Sequence, residues 1–210
     1  MNLFLDKIGK QYEGEWIFKS ISLSFSTEHK YLITGGNGSG KSTLLKLLAG
    51  YVVPSIGKVV WSANSQEISN EEVYNEISYC SPSMSLFDSH KVEEAINFHF
   101  SLKKCSEDWD IGSILEFCYL EESRTKLISQ LSSGMLQRLK LTLAFLSKTA
   151  TLFLDEPCAN LDDKAIAWYQ EGLKKYENGR LLVICSNNKE EEHFMCNKTV
   201  NLEDYKKFSI

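Results

Sequence analysis

No run in this sequence approaches the roughly 18 consecutive apolar residues that a membrane-spanning helix needs. The opening stretch, MNLFLDKIGK, lacks the charged and apolar regions of a secretory signal. A soluble, cytoplasmic protein is the expectation. Blocks of basic charge are missing too: the net charge is −5 over 210 residues, so nucleic acid is no obvious partner. The six cysteines form no CxxC pair, and most sit among apolar neighbours, as in FCYL and VICS. They read as buried, reduced thiols rather than metal ligands. His193 and Cys196 make a lone HxxC, short of the full ligand set of a structural zinc. Internal repeats are absent, and no Pro/Gly/Ser-rich linker divides the chain.

What is present is apolar material in short, ordered pieces. Hydrophobic residues make up 43% of the chain, which supports a packed core. LFLDKI and ISLSFS read as strands around a polar turn at 13–15, and KYLIT is a further strand running into Gly35. Lys41 to Ala49 reads as a helix closed by Gly50. KVVW and ISYC read as strands. From about residue 86 to 148 the pattern is helical: Val92, Ala95, Ile96 and His99 share one face, and Ile111, Ile114, Leu115 and Cys118 another. TLFLD and LLVIC are unbroken apolar strands of the kind buried in a parallel sheet. Ile166, Tyr169, Leu173 and Tyr176 mark a helix between them. Strands alternating with helices predict an α/β fold with a mostly parallel sheet. The early strands and the helical middle read as additions to it.

Three stretches carry chemistry. GGNGSGKST, residues 35–43, fits G-x-x-x-x-G-K-[ST] between a strand and a helix. Backbone N–H groups of Gly35, Gly36, Asn37, Gly38, Ser39 and Gly40 can close around phosphate oxygens. Lys41 reaches the β- and γ-phosphates, Ser42 ligates Mg²⁺, and Thr43 ends the motif. In LFLDEP, Asp155 stands at the end of a buried strand, where an acid holds the Mg²⁺ of such a loop. Glu156 follows it, placed to polarise a water in line with the γ-phosphate. In LSSGMLQRLKLTL, Leu136, Leu139, Leu143 and Leu146 predict an amphipathic helix from Met135 onward. Ser132, Ser133 and Gly134 precede it. They read either as an ordinary N-cap or as an anion site at a helix N-terminus.

The order GGNGSGKST, LSSGMLQR, LFLDEP, ANLDD resembles that of the ABC-type ATPases, the nucleotide-binding subunits of ABC transporters, with LSSGM standing for LSGGQ. The resemblance covers the chain from the Tyr12 region to VICSNN. It implies one ATPase domain over 1–210: a P-loop core, an N-terminal antiparallel β lobe of about 1–30 and 56–80, and a small helical lobe of about 86–148. It implies ATP and Mg²⁺ as ligands and ATP hydrolysis coupled to transport. A second copy, or a related ATPase subunit, would pack head to tail, so that Ser132, Ser133 and Gly134 contact a γ-phosphate in trans. Separate membrane-spanning subunits would hold the protein peripherally on the inner face of the membrane. Tyr12 resembles the aromatic that stacks on adenine; Trp16 competes for that role, and a plain surface or core tyrosine is the other reading. ANLDD resembles the loop that crosses the dimer, which makes Asn160 and Asp162 interface candidates, Asn160 being equally suited to cap a helix.

The family pattern is broken at two places. Pro82 falls where a glutamine is expected, with Ser81 or Ser83 as the hydroxyls able to substitute. Asn187 stands for the family histidine, or Asn188 does if the alignment shifts by one. Asn donates a hydrogen bond but carries no imidazolium charge, so slow hydrolysis is expected. Other readings stay open: an ABC-type ATPase acting as an assembly or scaffold switch with soluble partners, a module that only binds nucleotide, and a GTPase whose guanine reader would be Asn188, Lys189, Glu190 and Glu191, with Glu where that reader has Asp.

Overall fold

The computed structural model describes residues 1–63, 66–177, 179–187 and 189–205. The chain runs β1 (Asn2–Tyr12), β2 (Glu15–Ser26), β3 (Lys30–Thr34), α1 (Lys41–Leu48), β4 (Ile56–Ala63), β5 (Gln66–Ile68), β6 (Ile77–Cys80), α2 (Val92–Leu102), α3 (Ile111–Phe117), α4 (Ser133–Leu146), β7 (Thr151–Asp155), α5 (Asp163–Tyr176), β8 (Leu181–Cys185), α6 (Glu190–His193) and β9 (Lys198–Asn201). Short 3₁₀ turns fill several connections, including Leu202–Tyr205.

Two sheets form. The first is antiparallel, in the order β2-β1-β4-β5. The second is parallel throughout, in the order β6-β7-β8-β3-β9. Every residue of β6, β7 and β8 is buried, which is why TLFLD and LLVIC are unbroken apolar runs. Alternation still sorts their side chains. Leu152, Leu154, Leu182 and Ile184 pack toward α4 and α5, while Phe153, Leu181, Val183 and Cys185 pack toward α1 and the antiparallel sheet. The fold is thus an α/β P-loop core flanked by an antiparallel β lobe and a helical lobe.

The parallel register decides where chemistry can gather. Asp155 pairs with Cys185, Ile33 with Cys185, and Cys80 with Leu154. The strands therefore end side by side, and the segments starting at Gly35, Ser81, Glu156 and Ser186 all leave from one edge. Ligands in open α/β sheets bind at that carboxyl edge.

Arg180, 8% exposed, braces the opposite edge. Its guanidinium donates to the carbonyls of Ala144, Phe145 and Tyr176, to the Thr151 carbonyl at 3.1 Å, and to the Thr149 hydroxyl at 2.5 Å. The first three carbonyls lie in the last turns of α4 and α5, whose orphan acceptors and negative dipole ends suit a cation. Burial pulls its pKa down to about 10.

Strands β5 and β9 and helix α6 go beyond the sequence reading. QEI is polar and too short for a period, KTVN buries one residue, and EEEH has no apolar face.

Candidate functional site

After Thr34 the chain wraps into a loop that only glycine completes. Gly38 and Gly40 have φ of 74° and 99°, in the left-handed region. A Cβ on Gly40 would come within 2.5 Å of Ile17 Cγ2. The Ser39 N–H donates to the Gly36 carbonyl at 3.1 Å, and α1 starts at Lys41. The Lys41 side chain folds back over the loop, its ammonium donating to the Gly35 carbonyl at 2.8 Å and the Gly36 carbonyl at 3.1 Å. A cavity of about 280 Å³ lies here, lined by Ile17, by residues 37–43 and by Glu156. The Ser39 hydroxyl is buried with no partner among the described residues.

Asp155 is 4% exposed. Burial raises its carboxyl above the ordinary carboxylate range; the Ser42 hydroxyl bonding to it lowers it, the Glu156 charge raises it, and Lys41 lowers it. Its Oδ1 is buried without a partner among the described residues. A desolvated carboxylate oxygen with an open lone pair beside a serine hydroxyl is the donor set a hard divalent cation takes. The residues present fit Mg²⁺.

Glu156 carries a φ of 43°, unusual for a side chain of this size. Its N–H donates to the Cys185 carbonyl at 2.9 Å. This sharp turn directs Glu156 into the cavity instead of continuing the strand. The Asn187 amide, leaving β8 alongside, donates from Nδ2 to Glu156 Oε1 at 2.5 Å. Asn188, the competing position, lies outside the described residues.

The stretch before α4 is an N-cap: the Ser132 hydroxyl accepts the Met135 N–H at 3.2 Å. Ser132 and Ser133 are exposed, and no acid occupies the first turn of α4. Neither serine, nor Gly134, lines the cavity at 37–43. Gly134 instead packs on the segment after β7, where an added Cβ would fall 2.8 Å from the Asn160 carbonyl oxygen. Asn160 has a φ of 62° and does not cap α5. That cap is Asp162, whose Oδ1 accepts the Ala165 N–H at 2.8 Å. Tyr12 is 47% exposed at the end of β1. It lies outside the cavity lining and takes the Lys10 ammonium over its ring at 4.9 Å. Pro82 is exposed, and the neighbouring Ser81 and Ser83 hydroxyls pair with each other at 3.2 Å.

Three buried polar residues around the site escaped the sequence reading. Gln137, 2% exposed, donates from Nε2 to the Pro157 carbonyl at 2.9 Å. Lys140, 3% exposed, donates to the Pro82 carbonyl at 3.0 Å. Glu192, 1% exposed, accepts from the segments after β7 and β8. For the first two a signal existed: polar residues spaced like the leucines of the same predicted helix. Glu192 sits in an all-acidic run that looks solvated.

The ABC transporter family model matches residues 18–159, about two thirds of the chain. The spermidine/putrescine import ATP-binding protein PotA of Fusobacterium nucleatum is 31% identical over 160 residues, covering 75% of this chain but 42% of its own length. The ABC transporter ATP-binding protein YybJ of Bacillus subtilis is 28% identical over 194 residues, covering 89% of this chain and 86% of its own length. Among solved structures, the dimeric bacterial ABC transporter cassette MJ0796 aligns with a TM-score of 0.78 at 20% identity, covering 95% of this chain and 94% of that one.

Proposed function

The chain belongs to the ABC transporter family, and from that premise we propose that it is an ATP-binding and ATP-hydrolysing subunit, one ATPase domain that dimerises head to tail around its nucleotides and drives separate membrane-spanning subunits. The observation that carries this reading is the cavity shared by residues 37–43 and Glu156, with Asp155 before it in the chain holding one buried carboxylate oxygen without a partner among the described residues.

The N–H groups of the loop and the start of α1 close on the phosphates of ATP. The Lys41 ammonium exchanges the neutral carbonyls of Gly35 and Gly36 for charged phosphate oxygens, a stronger bond. Ser42 and Asp155 would hold Mg²⁺, which would supply positive charge against the phosphate oxygens. Glu156 orients a water toward the γ-phosphate and accepts its proton. Asn187 fixes the Glu156 carboxylate through the bond at 2.5 Å. Tyr12, with Lys10 beside it, offers an exposed face on which adenine stacks. Ser132, Ser133 and Gly134 point at the γ-phosphate held by a second copy, with Asn160 and Asp162 at the same interface. Support for this trans arrangement is the exposed, acid-free start of α4 outside the chain's own cavity, together with the dimer of the cassette MJ0796. The import role in the name of the Fusobacterium relative supports membrane-spanning partners, which would hold this chain at the inner face of the membrane. A neutral amide at 187 and an apolar side chain at 82 support slow turnover.

The test is ATP-dependent phosphate release and dimerisation. Glu156→Gln is expected to bind ATP, to lose nearly all hydrolysis, and to accumulate as a dimer in size exclusion with ATP. Lys41→Ala is expected to lose nucleotide affinity. Near-normal turnover in Glu156→Gln removes Glu156 from its role.

A further inference from the structure

Glu192 occupies a place where a carboxylate is expensive. It is 1% exposed, and burial pushes its carboxyl above the ordinary range, opposed by the Ser186 hydroxyl, by the Lys189 charge and by the Cys158 N–H. No salt bridge holds it among the described residues. A carboxylate buried there costs free energy that its hydrogen bonds must offset. Its bonds show what the carboxylate does. Oε2 accepts the Ser186 hydroxyl at 2.5 Å, and Oε1 accepts the Cys158 N–H at 3.3 Å. Ser186 precedes Asn187, and Cys158 lies just beyond Glu156. The Ser186 hydroxyl also accepts the Lys189 N–H at 3.2 Å, and the Tyr169 hydroxyl on α5 donates to the Glu192 carbonyl at 2.7 Å, so α6 is held from below.

We propose that Glu192 is a positioning residue for hydrolysis: its carboxylate clamps the segment after β7 to the segment after β8 and so keeps the Asn187 amide on Glu156. The inference rests on the proposed ATPase reading. Glu156 sits in a left-handed conformation that persists only where the surroundings over-determine it. Without the clamp, the Glu156 N–H bond to the Cys185 carbonyl still joins the two segments, but Asn187 loses the tether through Ser186 that aims its amide. A misplacement of about 1 Å in such a group costs up to about 100-fold in rate.

The experiment measures steady-state ATPase, ATP affinity and thermal melting on the full chain for Glu192→Met, Glu192→Gln, Ser186→Ala, Asn187→Ala and the double variant Glu192→Met/Asn187→Ala. Met fills the volume but accepts neither bond. Its expected signature is kcat lowered about tenfold with ATP affinity within about twofold, because the lost contact serves the transition state, while loss of the buried charge and the unpaired Cys158 N–H act on the melting temperature in opposite directions. Gln accepts from Cys158 and donates to Ser186, so it restores kcat to within about threefold. The double variant is expected to be no slower than Asn187→Ala alone, since both changes act through one bond. Ser186→Ala, which removes the clamped hydroxyl, is expected to show the same kcat loss and decides the matter should Glu192→Met not fold. Wild-type kcat in Glu192→Met or Ser186→Ala, additive losses in the double variant, or affinity falling together with kcat would overturn the clamp. If the wild-type chain shows no turnover, the ATPase reading falls instead. The clamp is then decided by amide exchange at Cys158, expected to quicken in Glu192→Met; unchanged exchange overturns it.

Discussion

Gly134→Ala separates the readings of the α4 start by the sign of its effect. Within the first turn of an unencumbered helix, glycine to alanine is stabilising, by roughly 0.5–1 kcal/mol. Here the new methyl would stand 2.8 Å from the Asn160 carbonyl oxygen. That oxygen is backbone, in a residue already at a φ of 62°, and it cannot swing aside as a long side chain would. Either α4 lifts by a few tenths of an ångström or Asn160 moves. Overpacking of this kind costs about 1–3 kcal/mol, which outweighs the helix gain. In a chain of 210 residues each kcal/mol lowers the melting temperature by about 2–4 °C, so the net cost of about 0.5–2 kcal/mol should appear as a drop of roughly 1–8 °C by calorimetry. ATP-driven dimerisation of the Glu156→Gln background should weaken as well, because Ser133 and Asn160 are displaced together. A raised melting temperature with unimpaired dimerisation would refute the contact and leave Ser132 to Gly134 as a plain cap.

Other outcomes follow from the same geometry. Asn187→His keeps a ring nitrogen near the Asn187 Nδ2 position, 2.5 Å from Glu156, and extends a second nitrogen beyond it; kcat should rise about tenfold, worth about 1.4 kcal/mol, with ATP affinity little changed, and no gain in a steady-state assay removes the side chain from the reaction. The folded-state pKa of Asp155 is raised, chiefly by burial, so stability falls as pH rises through that pKa and the ionised group is a burden at neutral pH. Asp155→Asn should therefore melt higher than wild type at pH 7 without Mg²⁺, lose that advantage in acid, and no longer be stabilised by Mg²⁺ with ATP; equal melting at pH 7 contradicts the burial argument. Burial, then the Lys103 charge, lowers the His99 pKa from 6.5 to about 4. As a base kept neutral by the fold, it favours folding above pH 6.5, and stability drains away as pH falls toward 4, by about 3 kcal/mol at most. His99→Gln, which can keep the bond to the Ser147 hydroxyl, should flatten that acid limb in urea titrations, and an unchanged limb would assign it to other groups.

The parts of the fold legible in the sequence are those where one physical demand writes one pattern. Burial on both faces makes β7 and β8 uniformly apolar. A left-handed loop needs glycine at 38 and 40. A cap needs a short hydroxyl, supplied by Ser132. Illegible were the contacts that depend on which segments the sheet order brings together. Asn187 meets Glu156 across 31 positions, and Glu192 meets Cys158 across 34. Neither pair carries a local period. Asn160 was open to two roles by composition, yet the cap of α5 fell to Asp162, because Asn160 had turned left-handed and presented its carbonyl to Gly134. Tyr12 matches a motif, but a motif cannot fix how far an exposed ring stands from the cavity.

Helix α4 ties together several of the segments that surround the candidate site. Gly134 rests on Asn160, Gln137 holds the Pro157 carbonyl, Lys140 holds the Pro82 carbonyl, and Arg180 gathers the carbonyls of its last turn. Its 14 residues make a rod of about 21 Å with no proline or interior glycine at which to bend. A stiff rod does not distinguish sender from receiver. Whatever seizes the loop at Pro82 and thereby tightens the proposed nucleotide contact at Ser133 by about tenfold must itself be held about tenfold more tightly once that contact is made. The exchange is symmetric in free energy, so an affinity measured at one end of α4 is a reading of the other.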